Sequence, residues 1–258
     1  MRYVGLAQYK DRDIESICTL ASTGVILGDI LCNERMFVHG GAELPEIMRL
    51  LRKRGVPVIY QTPMYATDNR ITDMTHFVEY CCDRGFIDAA IVQDIGVASV
   101  LRERCGGLSV IWGRMGYARI PVVNSSTAEF FMEHGVTGFE CGDIHHAKYL
   151  NSLGATVYYL VGIPQYLSIN RECYCKFEHD VFDGKCGRRC LKREKLVIPT
   201  DPPLETTMDG HLLGWQNAYV EHAFDQAAQF ENCVVYADSL ATAQDKLSHI
   251  ITAKELRK

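Results

Sequence analysis

LPEIMRLLRKRGVPVIY, residues 44–60, holds the unit from which the architecture can be read. Leu44, Ile47, Met48 and Leu51 recur at i, i+3, i+4 and i+7, the spacing that gathers apolar side chains on one face of a helix. Gly55 is a helix stop, and VPVIY behind it is a short β-rich run. The same sentence is written again on both sides. Ile14, Ile17, Cys18 and Ala21 lead through Gly24 to VILGDI; Met74, Phe77, Val78 and Cys81 lead through Gly85 to DAAIVQ; Val97, Val100 and Leu101 lead through Gly106 to LSVIW. Two weaker rounds follow, EFFMEHG before VTGFECG and AKYLNSLG before ATVYYLVG.

With RYVGLA at the start, the count reaches seven strands by residue 161, and CVVYAD after the helix-like AYVEHAFDQAAQF supplies an eighth. Buried parallel strands read as short continuous apolar runs, each needing a helical crossover, and this alternation supplies both. The expected fold is α/β, a (β/α)8 TIM-type barrel, with a doubly wound open sheet as the alternative of the same local grammar. Neither a GxGxxG turn nor a GxxxxGK[ST] loop is present to support a nucleotide site of that second kind.

At 258 residues and 47% hydrophobic, the chain can build one sizeable core, so a single domain over 1–258 is expected. The rhythm breaks between the seventh and eighth strands. Residues 164–213 carry Pro164, Pro199, Pro202 and Pro203, four of the eight prolines, and few helical stripes; they read as a long cysteine-rich loop inserted in the barrel. The net charge of −5 and pI near 6.0 argue against nucleic acid or an anionic membrane as the default partner. No apolar run approaches the ~18 residues of a membrane span, and MRYVGLAQYK lacks the apolar core of an export signal. A cytoplasmic protein is expected.

Eleven cysteines in such a chain are expected to stay reduced, as packing thiols or as metal ligands. Cys18 and Cys81 sit on helical stripes with Cys82 beside them, Cys105 ends a helix and Cys233 opens a strand, so all five read as small buried hydrophobes. Cys32 and Cys141 fall at the C-terminal ends of strands, the face on which barrels assemble their sites. Cys173, Cys175, Cys186 and Cys190, in RECYCKFEHDVFDGKCGRRC (171–190), follow the seventh strand and emerge on that face too. Zinc prefers two closely paired knuckles, or one pair with histidines; only Cys186 and Cys190 make a good pair, with His179 the nearest imidazole. Iron–sulfur clusters accept more variable spacing. Spacing alone leaves both metals open and does not name a fourth ligand.

Three stretches, ILGDILCNER around Cys32, GIPQYLSINREC leading into Cys173, and CGRRC ending at Cys190, together resemble the U32 (collagenase-like) peptidase family. Within it they are closest to the UbiV-type proteins of oxygen-independent ubiquinone biosynthesis. The resemblance implies a barrel-like fold and a [4Fe–4S] cluster ligated by Cys32, Cys173, Cys186 and Cys190. It also implies a role in hydroxylating ubiquinone precursors without oxygen, with prephenate as oxygen donor and a related UbiU-type barrel as partner subunit. A tRNA or rRNA base hydroxylation factor is the alternative within the family, and a zinc-stapled peptidase or structural barrel the alternative outside that chemistry. Cys175 is extra to the family's pattern, and the C-terminal region is short.

Between Arg171 and Lys195, eight basic residues outnumber five acidic ones by three, a balance that suits an anionic cluster or a dicarboxylate. Arg114 and Arg119, after the fifth strand, could clamp carboxylates, and Arg171 and His145 complete the candidate substrate-binding set. Gln93 and Asp94 after the fourth strand, and Asp143 and His146 after the sixth, share that face. Catalytic residues are not assignable. Neither a GxSxG elbow nor an HExxH helix occurs, so proteolysis would need scattered residues.

Overall fold

The computed structural model describes residues 1–5, 14–19, 23–28, 44–62, 68–113, 125–161, 164–169, 193–198, 204–209, 212–216, 220–236 and 240–255. They fall into two compact units, one of residues 1–161 with 220–258 and one of residues 162–219.

The first unit is a closed parallel barrel. Its strands are β1 (Arg2–Gly5), β2 (Thr23–Gly28), β3 (Val58–Gln61), β4 (Ala89–Val92), β5 (Ser109–Trp112), β6 (Gly138–Cys141), β7 (Thr156–Val161) and β12 (Asn232–Tyr236). They run in chain order around the ring except at one place, where β12 lies between β7 and β1 and closes it. Arg2 pairs with Cys233 on that side and with Thr23 of β2 on the other. All eight expected strands form, and closure excludes the open sheet. Helices α1 (Ile14–Thr19), α2 (Leu44–Lys53), α3 (Asp68–Asp83), α4 (Ile95–Arg104), α5 (Ser125–Glu133) and α6 (Ile144–Ser152) connect β1 through β7. Helix α7 (Val220–Ala227) precedes β12 and α8 (Leu240–Glu255) follows it. No helix among the described residues is long and apolar enough to cross a membrane.

The helix–glycine–strand unit has a physical cause in α2. Leu44, Ile47, Met48 and Leu51 are its buried face, Glu46 lies in the first turn, and Arg52 and Lys53 oppose the dipole in the last. Gly55 then takes φ +75, a left-handed conformation that costs a Cβ-bearing residue about 1–2 kcal/mol. This lets the Val56 N–H reach back to the Leu51 carbonyl at 3.1 Å and the Gly55 N–H to Arg52 at 3.0 Å. The same pair of bonds ends α3, where Phe86 donates to Cys81 and Gly85 to Cys82, both at 2.9 Å. Each turn therefore delivers the chain into the next strand with its helix carbonyls satisfied.

Along the strands, side chains alternate between two cores. Val25, Val58, Val92, Val110, Phe139 and Val235 face the helices and join their stripes in one apolar cluster. Trp112 and Phe131 of α5 meet there with ring centroids 4.3 Å apart. The alternate positions, Ile26, Ile59, Ile91, Ile111, Leu160 and Val234, are buried outside that cluster and fill the barrel's interior. Tyr3 and Tyr158 cross the same interior at 5.8 Å.

The sequence predicts a cysteine-rich loop at 164–213; residues 162–219 form the second compact unit, with strands β8 (Pro164–Ile169), β9 (Arg193–Ile198), β10 (Leu204–Asp209) and β11 (Leu212–Gln216). They make an antiparallel sheet in the order β8-β11-β10-β9. Its register sets Ile169, Leu212, Asp209 and Arg193 in one row. The end of β8 and the start of β9 therefore lie at the same end of the sheet, three strand spacings or about 14 Å apart.

Candidate functional site

In a parallel barrel every strand points the same way, so the last inward-facing residues form one layer beneath the C-terminal opening. In most barrels such layers are bulky and apolar; here the layer is polar. Gln61 ends β3, Gln93 follows β4, Glu140 is the inward residue of β6 and Tyr236 ends β12, and they are 0%, 1%, 1% and 7% exposed.

Glycines make room for these side chains. Gly5 is the register partner of Tyr236, and a Cβ on Gly5 would stand 2.2 Å from the Tyr236 ring. A Cβ on Gly113 would likewise stand 2.2 Å from the Gln93 amide. Laid over Gly5, the Tyr236 ring carries its hydroxyl across the opening, where it donates to Glu140 Oε1 at 2.6 Å. The short distance is that of a charge-assisted bond. Gln61 reaches the same hydroxyl from the far side, its Oε1 at 3.3 Å. A phenol has one proton, and here the carboxylate takes it. The amide orientation that bonds well is the one presenting Nε2 to the Tyr236 oxygen, an assignment amides leave open to the network. Among the described residues Gln61 Nε2 has no partner, and neither has Thr62 Oγ1 beside it.

Around the rim, two acidic candidates are helix caps. Asp94 accepts from the Gly96 N–H at 2.8 Å and the Val97 N–H at 3.4 Å, closing the start of α4. Asp143 accepts from the His146 N–H at 2.7 Å at the start of α6. His145 lies exposed in the first turn of that helix, and His146 is half-buried.

Cys141 ends β6 on the helix side, not inside the barrel, and is 5% exposed. Its thiol donates to the Asp143 carbonyl at 3.4 Å, and burial pushes its pKa from 9.0 up to about 11. Burial likewise raises Cys81 and Cys105 to about 12. With Cys233 fully buried in the same cluster and Cys18 and Cys82 packed against it, the expected packing thiols are in place. Among the described residues no three His, Cys, Asp or Glu side chains are grouped to hold a metal ion. Cys32, Cys173, Cys175, Cys186 and Cys190, with Arg114, Arg119 and Arg171, lie outside the described residues. The strand ends beside them are described. Cys32 follows the end of β2 by four residues, Cys173 follows Ile169 by four, and Cys190 precedes Arg193 by three.

Sequence reasoning missed Glu140, Tyr236 and Gln61. The available signal was a polar residue in the inward register at the end of an apolar run, as in VIYQ, GFEC and CVVY.

A family model described as Peptidase family U32 matches residues 17–138. Among solved structures, the U32 peptidase Mk0906 superposes with a TM-score of 0.54 at 12% identity, covering 92% of each chain. A tryptophan synthase alpha chain from Legionella pneumophila subsp. pneumophila gives 0.52 at 14% identity over 98% of this chain and 90% of its own. The corresponding subunit from Legionella pneumophila str. Paris gives 0.52 at 14% over 99% and 92%. At such identities the likeness is one of fold, a TIM barrel. No curated protein matches the chain in sequence. The family match thus runs from within α1 to the first residue of β6, and over that stretch the chain is similar to Peptidase family U32.

Proposed function

We propose that the protein is the iron–sulfur component of an oxygen-independent hydroxylation system of the ubiquinone-precursor type. In this reading it works with a related UbiU-type barrel, and prephenate is the oxygen donor. Cys32, Cys173, Cys186 and Cys190 would hold a [4Fe–4S] cluster. The family match supports the reading at its coarsest level, and the order and spacing of the cysteines support the rest.

One observation carries it: the division of the thiols. Six cysteines are packed in or against the barrel's apolar cluster, three of them with raised pKa values that keep the proton on sulfur. The other five fall in two segments only, one after β2 and one between β8 and β9. That second segment, residues 170–192, joins strand ends about 14 Å apart, a span that about five extended residues would cover. It has 23 residues and four of the five cysteines. A metal centre held by thiolates would give such surplus chain an internal tie. The donor set, all sulfur and rich in nearby Arg and Lys, fits a dianionic cluster better than a mixed zinc site. A centre held by four thiolates supplies one-electron transfer and has no open position for substrate.

The test is anaerobic iron and sulfide analysis of the wild type beside Cys32→Ala and Cys141→Ala. Iron and sulfide near four each, with absorbance near ~400 nm, are expected in the wild type and in Cys141→Ala, and loss of both in Cys32→Ala. Colourless protein with stoichiometric zinc, or iron lost from Cys141→Ala alone, refutes the assignment.

A further inference from the structure

We propose that the polar layer at the barrel's C-terminal opening is a binding site for a small uncharged molecule bearing a hydroxyl group, with Gln61 its hydrogen-bonding anchor and the Tyr236–Glu140 pair its wall. The inference does not need the cluster, and stands or falls apart from it.

The site is built from costly parts. Gln61 is fully buried, yet among the described residues its Nε2 has no partner, and a buried amide left unmatched is destabilising. A leucine of similar volume would fill the position without that penalty, as isoleucines do at the inward positions Ile59, Ile91 and Ile111. The unmatched atom stands at the opening where barrel enzymes bind ligands, not in the closed interior. It also belongs to a network that crosses the barrel, from Tyr236 on β12 to Glu140 on β6 and Gln61 on β3.

The chemistry of the missing partner follows from the network. As placed, Gln61 offers an N–H; turned over to serve the Tyr236 oxygen, it offers a carbonyl instead. A hydroxyl answers either orientation, because it both accepts and donates. An anionic ligand is disfavoured, since it would bring a second acidic group beside buried Glu140. The competing occupant is a buried water, which the same reasoning would admit.

Phenol and benzoate, identical but for hydroxyl and carboxylate, separate these cases. Saturation-transfer NMR on the full chain is expected to show phenol binding and at least five-fold weaker transfer to benzoate. Gln61→Leu should lose at least five-fold of the phenol signal while its thermal midpoint stays level or rises; Gln61→Met serves if the leucine variant does not fold. No phenol signal with the wild type, a phenol signal unchanged by both substitutions, or benzoate transfer equal to phenol overturns the proposal. So does a midpoint that falls in both variants, which would make the amide, with its water, part of the fold's own bonding.

Discussion

Gly5→Ala is the sharpest probe of how the polar layer is held. The new methyl would stand 2.2 and 2.4 Å from two Tyr236 ring atoms, about 1.1–1.3 Å inside an ordinary contact of ~3.5 Å. Planar and buried, the ring cannot fold away as a flexible side chain would. Moving it by that much breaks its 2.6 Å bond to Glu140. Overpacking costs about 1–3 kcal/mol and a lost bond to a charged group about 1.5–3, so Gly5→Ala should destabilise by about 4 kcal/mol. For a chain of this length that is a fall in midpoint of roughly 8–16 °C. In a Tyr236→Ala background the obstruction is gone. There the same change should be neutral or stabilising by about 0.5 kcal/mol, because alanine restricts the unfolded chain more than glycine. Urea titrations of the four proteins close the cycle. Additivity within about 0.5 kcal/mol would mean that Gly5 and Tyr236 are not in contact, and the described layer would be wrong.

Alkaline conditions should destabilise the barrel. Cys141 is raised from 9.0 to about 11 and Cys81 to about 12, so the folded state holds protons that the unfolded state releases from pH 9 upward. Their contribution is complete below pH 9 and is lost as pH climbs through 11–12. Urea midpoints at pH 8, 9 and 10 should fall progressively, less steeply in Cys141→Ala; a flat profile would contradict the burial. The same thiols should resist iodoacetamide at pH 8 in the native protein and react on denaturation, which mass spectrometry of tryptic peptides reads directly. Asp94→Ala should cost about 0.5–2 kcal/mol and Asp94→Asn much less, because the side chain caps α4; equal losses in a urea titration would point to a role for the negative charge itself. Phe131→Ala, removing a fully buried ring that packs on Trp112, should cost about 3–5 kcal/mol by the same measurement.

The barrel was legible because its grammar is local. A stripe such as Leu44, Ile47, Met48 and Leu51, a glycine able to turn left-handed, and an apolar run are each set by neighbouring residues, and every round announced its strand. The buried role of Cys81 followed from the same stripes, and that of Cys105 and Cys233 from their places at a helix end and a strand start. Order around the ring was harder to see, since the pairing of Arg2 with Cys233 joins residues 231 positions apart with no local mark. Glu140 and Tyr236 went unseen for a related reason. Their partnership spans the opening, and in sequence each looks like the polar end of a strand. The sheet of β8 to β11 was hidden by composition: REKLVI and LETTMD lack the clean alternation of half-buried strands, and the neighbouring cysteines drew the reading toward metal chemistry.

The seam where β12 enters between β7 and β1 also sets a timetable. On a ribosome, Arg2 to Gly5 emerge long before β12 and lack that neighbour until residue 236 has left the exit tunnel. Until then the Cys233 N–H that will bond the Met1 carbonyl at 3.0 Å does not exist, and the growing cylinder has two raw edges. Among the described residues the four strands of 162–219 pair with one another, and they can be complete before that last stave arrives. A nascent chain whose emerged part ends between residues 219 and 231 should therefore carry a finished smaller unit and an unclosed, protease-sensitive larger one.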